Sequence, residues 1–417
     1  MVVCYSECAM RSRILKTIDR YTGRERAAFL AVYAVAALSI ILGAFLVPWQ
    51  PRLGDEWAYA ERAITLVDTL HTPYQSTPFD WWGNDAPWWT ELSFHDHPPL
   101  IFWLRHFFTV SQTLDVLAHA LSILVMYGIA RLLFSRKFSV FAATVYAVST
   151  LPMMISLHVM LESATLLFVL LSTFVALHAI KNKKYLPWWG VVTGIAILSK
   201  YTALSIVLAQ ALFFMFIFGK RLFQEKVFWY AVVLFLVVLA PVFIYNFMLF
   251  KTIGHFDMQW AYVFGQQTPE WSVQLGKLGR GTLLERIIGL KRVLQIFSIT
   301  FWIVLLVQLG RMMYIRMIPM PKNEILLLAL STMSALGFAA FIFGTDVRFL
   351  LLTIPFIFLL SLWLMSQLSL SKYIWMFVFF AELSLMLGTV LPGMEYRLPG
   401  ITVAPPAWYA HEQQRGW

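Results

Sequence analysis

The sequence AAFLAVYAVAALSIILGAFLV (residues 27–47), followed by PWQPRLGDEWAYAERA (residues 48–63), decides the fold and points to the site. The first stretch is 21 residues long and carries no charge. Because a helix rises about 1.5 Å per residue and the hydrocarbon core of a bilayer is about 30 Å thick, about 20 apolar residues can span it. The run therefore predicts a transmembrane helix, and the polar stretch predicts a loop beyond it.

Similar apolar runs recur along the chain. Of its 417 residues, 60% are hydrophobic and only 13% are charged, whereas a soluble domain carries about 25% charged residues. We interpret the chain as an all-α polytopic membrane protein with about eleven transmembrane helices and with interfacial helices in the first outer loop. The further spans are predicted near residues 113–134, 138–157, 160–180, 186–202, 203–219, 227–248, 293–310, 324–343, 350–366 and 373–391.

Lys and Arg gather on one side of these predicted spans. Nineteen of the 32 fall in short segments that share a side with the N-terminus. Because Lys and Arg concentrate in cytoplasmic loops, the N-terminus is predicted to be cytoplasmic, and the first loop and the C-terminus to lie outside. The segments are 1–26, 131–137, 181–184, 220–226, 311–322 and residue 372. We expect a multi-pass protein of the plasma (inner) membrane.

The predicted spans divide the chain into three parts. A basic N-terminal segment (1–26) precedes a transmembrane module (27–391), and a short tail (392–417) follows it. The module contains two long outer loops, residues 48–112 and 249–292. No basic patch alternates with aromatic residues, so we expect no nucleic-acid partner.

Cysteine and glycine spacing adds little to the chemistry. Cys4 and Cys8 both lie in the N-terminal segment, and they form neither a disulfide framework nor a CxxC metal pattern. Gly190 and Gly194 have GxxxG spacing, which allows a neighbouring helix to approach closely.

Paired carboxylates, Asp55 and Glu56, stand near the start of the first outer loop. Asp55 fits a helix N-cap, with Glu56 in the first turn where the helix dipole favours an anion. However, adjacent carboxylates close to a low-dielectric boundary can have raised or split pKa values, which suits one of them to act as a general base. The residues alone leave both interpretations open.

The same loop ends in the sequence HDHPP, residues 95–99. Pro99 suits the first turn of an interfacial helix predicted over 99–110. A divalent metal is possible here, with Asp55, His95 and His97 as candidate ligands, although the sequence fixes no complete ligand set. The alternative is that the histidines form hydrogen bonds or contact phosphate.

Tryptophans fill the middle of the loop, in FDWWGNDAPWWTE (residues 79–91). An aromatic belt at the level of the lipid headgroups is one interpretation, because Trp is enriched there in membrane proteins. A platform on which sugar rings pack is the other. Composition does not separate the two.

Five pieces of sequence, in this order, resemble the protein mannosyltransferase-like branch of the glycosyltransferase C superfamily, which also includes the lipid A aminoarabinose transferases. The resemblance runs as an ordered series through about residues 27 to 366. The pieces are DEWAYAERA (55–63), HDHPPLIFWL (95–104), Leu151-Pro152 followed by Glu162, GVVTGIAILSKYTAL (190–204) and TDVRFLLLTIPFIFLL (345–360).

The resemblance implies an inverting transferase that uses a polyprenyl-phosphate-linked sugar at the outer face. It implies that Asp55 is the catalytic base and Glu56 its acidic neighbour, and that His97 lies in a region bordering the site. A later acidic residue, commonly Asp in the family, falls on Glu162, where the longer side chain is a departure.

Charge placement supports a site at this face. Glu162 and Lys200 lie at the predicted outer ends of the fourth and fifth spans, where an unpaired charge would be costly. Lys200 could instead snorkel to the interface, and Arg348 could simply pair with Asp346. A lipid phosphate leaving group needs cationic donors. The candidates are Lys200 and Arg348, with Arg105 and His97 behind them.

The sequence therefore predicts a polyprenyl-phosphate-sugar-dependent glycosyltransferase. Its partners would be the donor, membrane lipid and an acceptor glycan, lipid or protein, with no cofactor required and a divalent metal possible. The residues predicted to line the substrate cavity are Glu162, His95, Asp96 and Tyr59. A lipid-linked glycan polymerase or ligase is the closest alternative, and a multi-span transporter is a more distant one because most acids cluster in outer loops.

Overall fold

The chain is described by a computed structural model. The described residues are 23–49, 54–68, 77–108, 112–266, 282, 284, 287–288, 290–316, 321–340, 347–367, 370–390, 396–398 and 401–403. The basic N-terminal segment with Cys4 and Cys8, and most of the second outer loop beyond residue 266, lie outside them.

Helices dominate the described part of the chain. They are α1 Gly23–Leu46, α2 Gly54–Thr65, α3 Pro78–Trp82, α4 Leu100–Phe107, α5 Thr113–Leu133, α6 Arg136–Ala147, α7 Thr150–Ser156, α8 Glu162–Lys181, α9 Leu186–Ser199, α10 Leu204–Phe218, α11 Lys226–Ile253, α12 Met258–Val263, α13 Val293–Ile296, α14 Ile299–Tyr314, α15 Asn323–Phe338, α16 Ile354–Ser366 and α17 Lys372–Val390. A small antiparallel hairpin, β1 Tyr396–Leu398 and β2 Ile401–Val403, follows α17.

The predicted all-α polytopic fold is confirmed. Each of the eleven predicted apolar runs coincides with a helix or with a pair of helices. Seven helical segments in the described residues are long and apolar enough to cross a membrane, and the pair α6 and α7 is an eighth candidate. The helices α9, α14 and α15 are shorter, so the number of crossings stays a prediction.

One predicted span is broken. The run near 138–157 forms two helices, α6 and α7, whose axes differ by 52°. Ser149, between them, has an extended backbone with φ −66° and ψ 127°, and Pro152 follows in the first turn of α7. Because proline disfavours continuation of the preceding helix, the bend falls where the sequence places it.

The helix α8 lies at the centre of the bundle. About two thirds (67%) of its most apolar stretch is buried inside the protein, whereas the buried share is 28% for the N-terminal span α1 and 17% for α11. A helix that is apolar on all sides is either buried in protein or surrounded by lipid. We therefore interpret α8 as the packing core and α1 and α11 as helices that face lipid.

Gly190 and Gly194 allow α9 and α11 to approach closely, as their spacing predicts. A Cβ atom added at Gly190 would lie 2.2 Å from the carbonyl oxygen of Ala231, and one at Gly194 would lie 2.9 Å from Cβ of Val238. Neither distance leaves room for a methyl group. The contact of α9 with α11 therefore depends on these two glycines.

A buried amide joins three of the central helices. Gln210 of α10 accepts a hydrogen bond from Nε1 of Trp189 at 2.8 Å and donates one to the Thr173 hydroxyl of α8 at 3.0 Å. Ser172 donates to the same Gln210 carbonyl oxygen at 3.2 Å. A buried amide without partners is costly, so these bonds fix how α8, α9 and α10 pack together.

Charged residues collect at the two ends of the bundle. At one end Glu25 lies 3.3 Å from Arg136, and Lys183 lies 2.7 Å from Glu225. The other end carries Glu162, the first residue of α8, whose 20 residues span about 30 Å. The predicted inner and outer groups are thus separated by the length of a span.

Glu382, a charged residue inside the last predicted span, has a structural role. Its carboxylate accepts hydrogen bonds from the backbone N–H and the hydroxyl of Ser298, at 2.8 and 2.7 Å. Ser298 in turn caps the first turn of α14 by accepting from the N–H of Phe301. These contacts tie α17 to the start of α14 through one carboxylate oxygen of Glu382.

We expect Gly190→Ala to destabilise the protein, because the new methyl group would overlap the Ala231 carbonyl. Overpacking of this kind costs about 1–3 kcal/mol. Thermal unfolding in detergent measures the effect. The control is Gly337→Ala in α15, where an added Cβ meets nothing within 4 Å. Equal unfolding temperatures for the two variants would contradict the close approach.

Candidate active site

The paired acids lie in α2, which begins at Gly54. Asp55 is in the first turn, inside the helix, and its side chain lies outside the described residues. The Glu56 side chain is buried, with Oε1 2.6 Å from Nδ1 of His158 and with Oε2 accepting the N–H of Val159 at 3.2 Å. His158 was not among the residues that the sequence singled out.

Glu162 and Lys200 form a buried ion pair. Nζ of Lys200 lies 2.6 Å from Oε1 of Glu162, and both residues are almost wholly shielded from solvent. Lys200 ends α9 in an extended conformation, which turns its side chain away from the helix path. Its ammonium group also lies 5.4 Å from the centre of the Phe349 ring. Lys200 therefore points into the protein and does not snorkel to an interface.

A small cavity surrounds this pair. Its polar lining comes from Glu162, Thr165, Lys200, Thr202, Ser205 and Arg348, and its apolar lining from Ala335, Phe338, Phe349 and Leu352. The structure thus brings Glu162, Lys200 and Arg348 together, as the sequence predicts. Asp346, the alternative partner for Arg348, lies outside the described residues. Lys200, Arg348 and Glu162 are the charged residues of its lining.

Arg105 occupies a different place. Its guanidinium is fully buried, donates to Asp115 at 2.6 Å and also donates to the carbonyl oxygen of Met160. Arg105 does not line the cavity of Lys200 and Arg348. Arg348 reaches the same segment from the other side, with Nη1 4.0 Å from Sδ of Met160.

Arg62 clamps the two halves of the first outer loop. It lies 2.8 Å from Asp68 and 2.7 Å from Asp96, and Asp68 also accepts the backbone N–H of His95 at 2.7 Å. Burial raises the pKa of Asp68, and the charge of Asp96 adds to this effect. Burial also raises the pKa of Asp96, but Arg62 together with the nearby histidines His97 and His95 outweighs burial, and the pKa of Asp96 is lowered to about 2.

His95 and His97 point to different partners. The ring of His95 packs against Trp81 and His255, with ring centres 5.4 and 5.9 Å apart, and burial lowers the pKa of His95 to about 3. The ring of His97 lies 3.2 Å from the hydroxyl of Tyr59. Within the part of the chain that the structure describes, no three His, Cys, Asp or Glu side chains are placed to hold a metal ion.

The tryptophan-rich segment packs against α11. Trp82 contacts Trp89, and Trp89 contacts Tyr245 of α11, with ring centres 5.6 and 5.7 Å apart. Trp89 is 2% exposed, whereas Trp88 is 66% exposed. Most of this segment therefore joins the first loop to the bundle, and Trp88 is the ring among these that faces outward.

Asp257 joins the second outer loop to the site. Its carboxylate accepts hydrogen bonds from the Tyr201 hydroxyl at 2.7 Å and from Asn246 at 2.9 Å. The next residue, Met258, donates its N–H to the carbonyl oxygen of His95 at 2.8 Å. Burial raises the pKa of Asp257 to about 6. The loop is thereby tied both to the residue after Lys200 and to the first loop.

Comparisons with known proteins agree with this fold. The family model of dolichyl-phosphate-mannose-protein mannosyltransferases matches residues 96–245. Among solved structures, ArnT from Cupriavidus metallidurans bound to undecaprenyl phosphate is 13% identical with a TM-score of 0.59, and the match covers 90% of this chain and 67% of ArnT. Apo ArnT is 15% identical with the same TM-score, over 92% of this chain and 68% of ArnT.

The chain has the glycosyltransferase C fold. The fold implied by the resemblance to the protein mannosyltransferase-like branch is therefore confirmed, and the partial family match points to the same branch. Among curated proteins, none gives a significant sequence match. The family match begins at Asp96, after α2, so it includes neither Asp55 nor Glu56.

Sequence reasoning missed three residues that hold the site together. His158 bonds Glu56, Asp115 pairs with Arg105, and Tyr201 bonds Asp257. Asp115 had a usable signal, because a carboxylate at the start of an apolar helix needs a partner. Tyr201 stands between Lys200 and Thr202, whereas His158 stands between Leu157 and Val159. Nothing local marks the distant partner of either residue.

We expect Arg62→Met to destabilise the protein strongly, because it would leave two carboxylates in the first loop without their shared cation. Breaking a buried pair of this kind costs about 3–5 kcal/mol. The measurement is thermal unfolding of the purified protein, together with the folded yield. Arg136→Met is the control, since its partner Glu25 is partly exposed and such pairs contribute about 0–1 kcal/mol. Similar losses in both variants would argue against the clamp.

Proposed function

We propose that this protein is a membrane glycosyltransferase that moves a sugar from a polyprenyl-phosphate donor to an acceptor, with inversion at the anomeric carbon. The observation that carries the proposal is the cavity in which Lys200 and Arg348 converge beside Glu162. The glycosyltransferase C fold and the family match support the same reaction class. ArnT, which shares the fold, was crystallised with undecaprenyl phosphate.

The donor phosphate would bind to Lys200 and Arg348. Lys200 and Arg348 would offer the phosphate oxygens two cationic hydrogen-bond donors. Charge-assisted hydrogen bonds from ammonium and guanidinium groups to phosphate oxygens strengthen where water is excluded. These groups supply the positive charge that the leaving phosphate needs, so the proposal includes no required metal. His97 and Arg105 contact other residues, so the proposal does not place them in the phosphate site.

Asp55 would act as the general base. It takes the proton of an acceptor hydroxyl or amine while the acceptor oxygen or nitrogen forms a bond to the anomeric carbon. The bond from that carbon to the phosphate oxygen breaks at the same time, and the polyprenyl phosphate leaves with the electron pair. A single displacement of this kind inverts the configuration. Glu56 would support Asp55 from the next position in α2.

The substrate would lie between α2 and the outer ends of α8 and α9. Tyr59, His95 and Asp96 border this region from the first loop, while Glu162 borders it from below. The cluster of Lys and Arg at the opposite end of the bundle supports an outward-facing site in the plasma (inner) membrane, with a cytoplasmic N-terminus. The acceptor would be a glycan, a lipid or a protein.

Replacing Asp55 by Asn should abolish transfer while the protein still folds, because the amide cannot take up the proton. A general base contributes roughly 10²–10⁴-fold to the rate. The assay offers a panel of polyprenyl-phosphate sugars to the protein in liposomes with a membrane extract as acceptor, and detects transferred sugar by mass spectrometry. Glu61→Gln, in the same helix, is the matched control. Near-normal transfer by the Asp55 variant would reject the mechanism.

Replacing Lys200 by Met should weaken donor binding. Loss of a charge-assisted bond worth about 1.5–3 kcal/mol corresponds to a rise of roughly tenfold or more in the donor KM. Because this change would remove the ion-pair partner of Glu162, a second variant combines Lys200→Met with Glu162→Leu. Lys183→Met, whose partner Glu225 lies at the other end of the bundle, serves as the control. An unchanged donor KM in both Lys200 variants would show that the donor phosphate does not bind in this cavity.

A further inference from the structure

Glu56 and His158 form one of the longest-range polar contacts at this end of the bundle. The residues are 102 positions apart, and Nδ1 of His158 lies 2.6 Å from Oε1 of Glu56. Both side chains are nearly fully buried, at 6% and 3% exposure. The pair joins the first turn of α2, in the outer loop, to the connection between α7 and α8. It is therefore a fixed point between a loop and the bundle core.

The short segment from His158 to Glu162 also meets the other charged groups of the site. The N–H of Val159 donates to the second oxygen of Glu56. Met160 contacts both Arg105, through its carbonyl oxygen, and Arg348, through its sulfur. Glu162 ends the segment and bonds Lys200. This five-residue connection thus contacts α2, which carries Asp55 and Glu56, at one end, and the cavity cations Lys200 and Arg348 at the other.

The contact carries consequences for geometry. A buried carboxylate needs hydrogen-bond donors. If a donor is removed, the carboxylate shifts position or bonds to other donors. Without His158, Glu56 would lose the donor to Oε1 and would still accept the N–H of Val159 at Oε2. Because Asp55 precedes Glu56 in the same turn, a shift of Glu56 would move the backbone that carries Asp55. Small misplacements of a reacting group reduce rates greatly.

We propose that His158 is a positioning residue of the transfer reaction: by donating its Nδ1–H to Glu56, it sets the distance between the first turn of α2 and the cationic cavity. The inference rests on the proposed function, and it adds a residue that acts through Glu56. His158 does not bind the donor phosphate, so its loss should lower kcat and leave the donor KM nearly unchanged.

Two replacements of similar size separate positioning from bulk. In His158→Asn the amide nitrogen takes the place of Nδ1 and can still donate to Glu56, whereas in His158→Gln it lies nearer to the place of Nε2. We expect His158→Gln and His158→Ala to reduce kcat roughly tenfold to a hundredfold, with the donor KM changed by less than about twofold. His158→Asn should keep most of the activity. If the Ala variant does not fold, the comparison of Asn with Gln carries the test.

A double-mutant cycle tests whether the effect passes through Glu56. If it does, Glu56→Gln combined with His158→Ala should be no slower than the slower single variant, whereas independent effects would multiply. The matched control is His119→Ala. His119 is another buried histidine, bonded to the carbonyl oxygen of Ala147 at 3.3 Å, and its replacement should lower the unfolding temperature without a selective loss of kcat.

The outcomes are distinguishable. An active wild-type protein with His158→Gln and His158→Ala at the wild-type kcat would overturn this inference alone, as would equal losses in the Asn and Gln variants or multiplying effects in the cycle. A folded wild-type protein that transfers no sugar from any polyprenyl-phosphate donor would overturn the proposed function, and this inference with it. Selective loss of kcat, rescue by Asn and a non-additive cycle would establish the positioning role.

Discussion

The pairing of Lys200 with Glu162 is the interaction on which this end of the bundle depends. Each group lies at the end of an apolar helix and is almost wholly buried, so either alone would carry a large desolvation cost. Glu162 is the first residue of the central helix α8, and Lys200 follows the last residue of α9. Their bond therefore fixes how far the two helices are shifted along their axes relative to each other. The connection before Glu162 is then held in place, and with it the contacts of Met160 and His158.

The same constraint explains why so many ionisable groups can occupy one small region. Arg105 is matched by Asp115, Arg62 by Asp68 and Asp96, and Glu56 by His158. In a low-dielectric surrounding, such groups are tolerated only in complementary sets. The cavity at Lys200 brings Glu162 together with both Lys200 and Arg348.

Much of this arrangement could be predicted from the sequence, for physical reasons that differ by element. Apolar runs of about 20 residues predict helices directly, and all eleven runs fall on helices because length and hydropathy are local properties. The meeting of Glu162, Lys200 and Arg348 was predictable from their shared membrane level. The partners His158 and Asp115 were not, since pairing is decided by how helices rotate against each other. Likewise, Trp89 packs against Tyr245 of α11, which neither interpretation of the tryptophans included.

The hydrogen bonds between the two outer loops determine how this region can be exchanged or evolve. Met258 donates to the carbonyl oxygen of His95, and Asp257 holds both Tyr201 and Asn246. A chimera that took only the first loop from a relative would place a foreign backbone against the native second loop and lose this register. The described parts of residues 54–108 and 246–266 would therefore have to be exchanged together. Substitutions at their contact are expected to be correlated between the two segments.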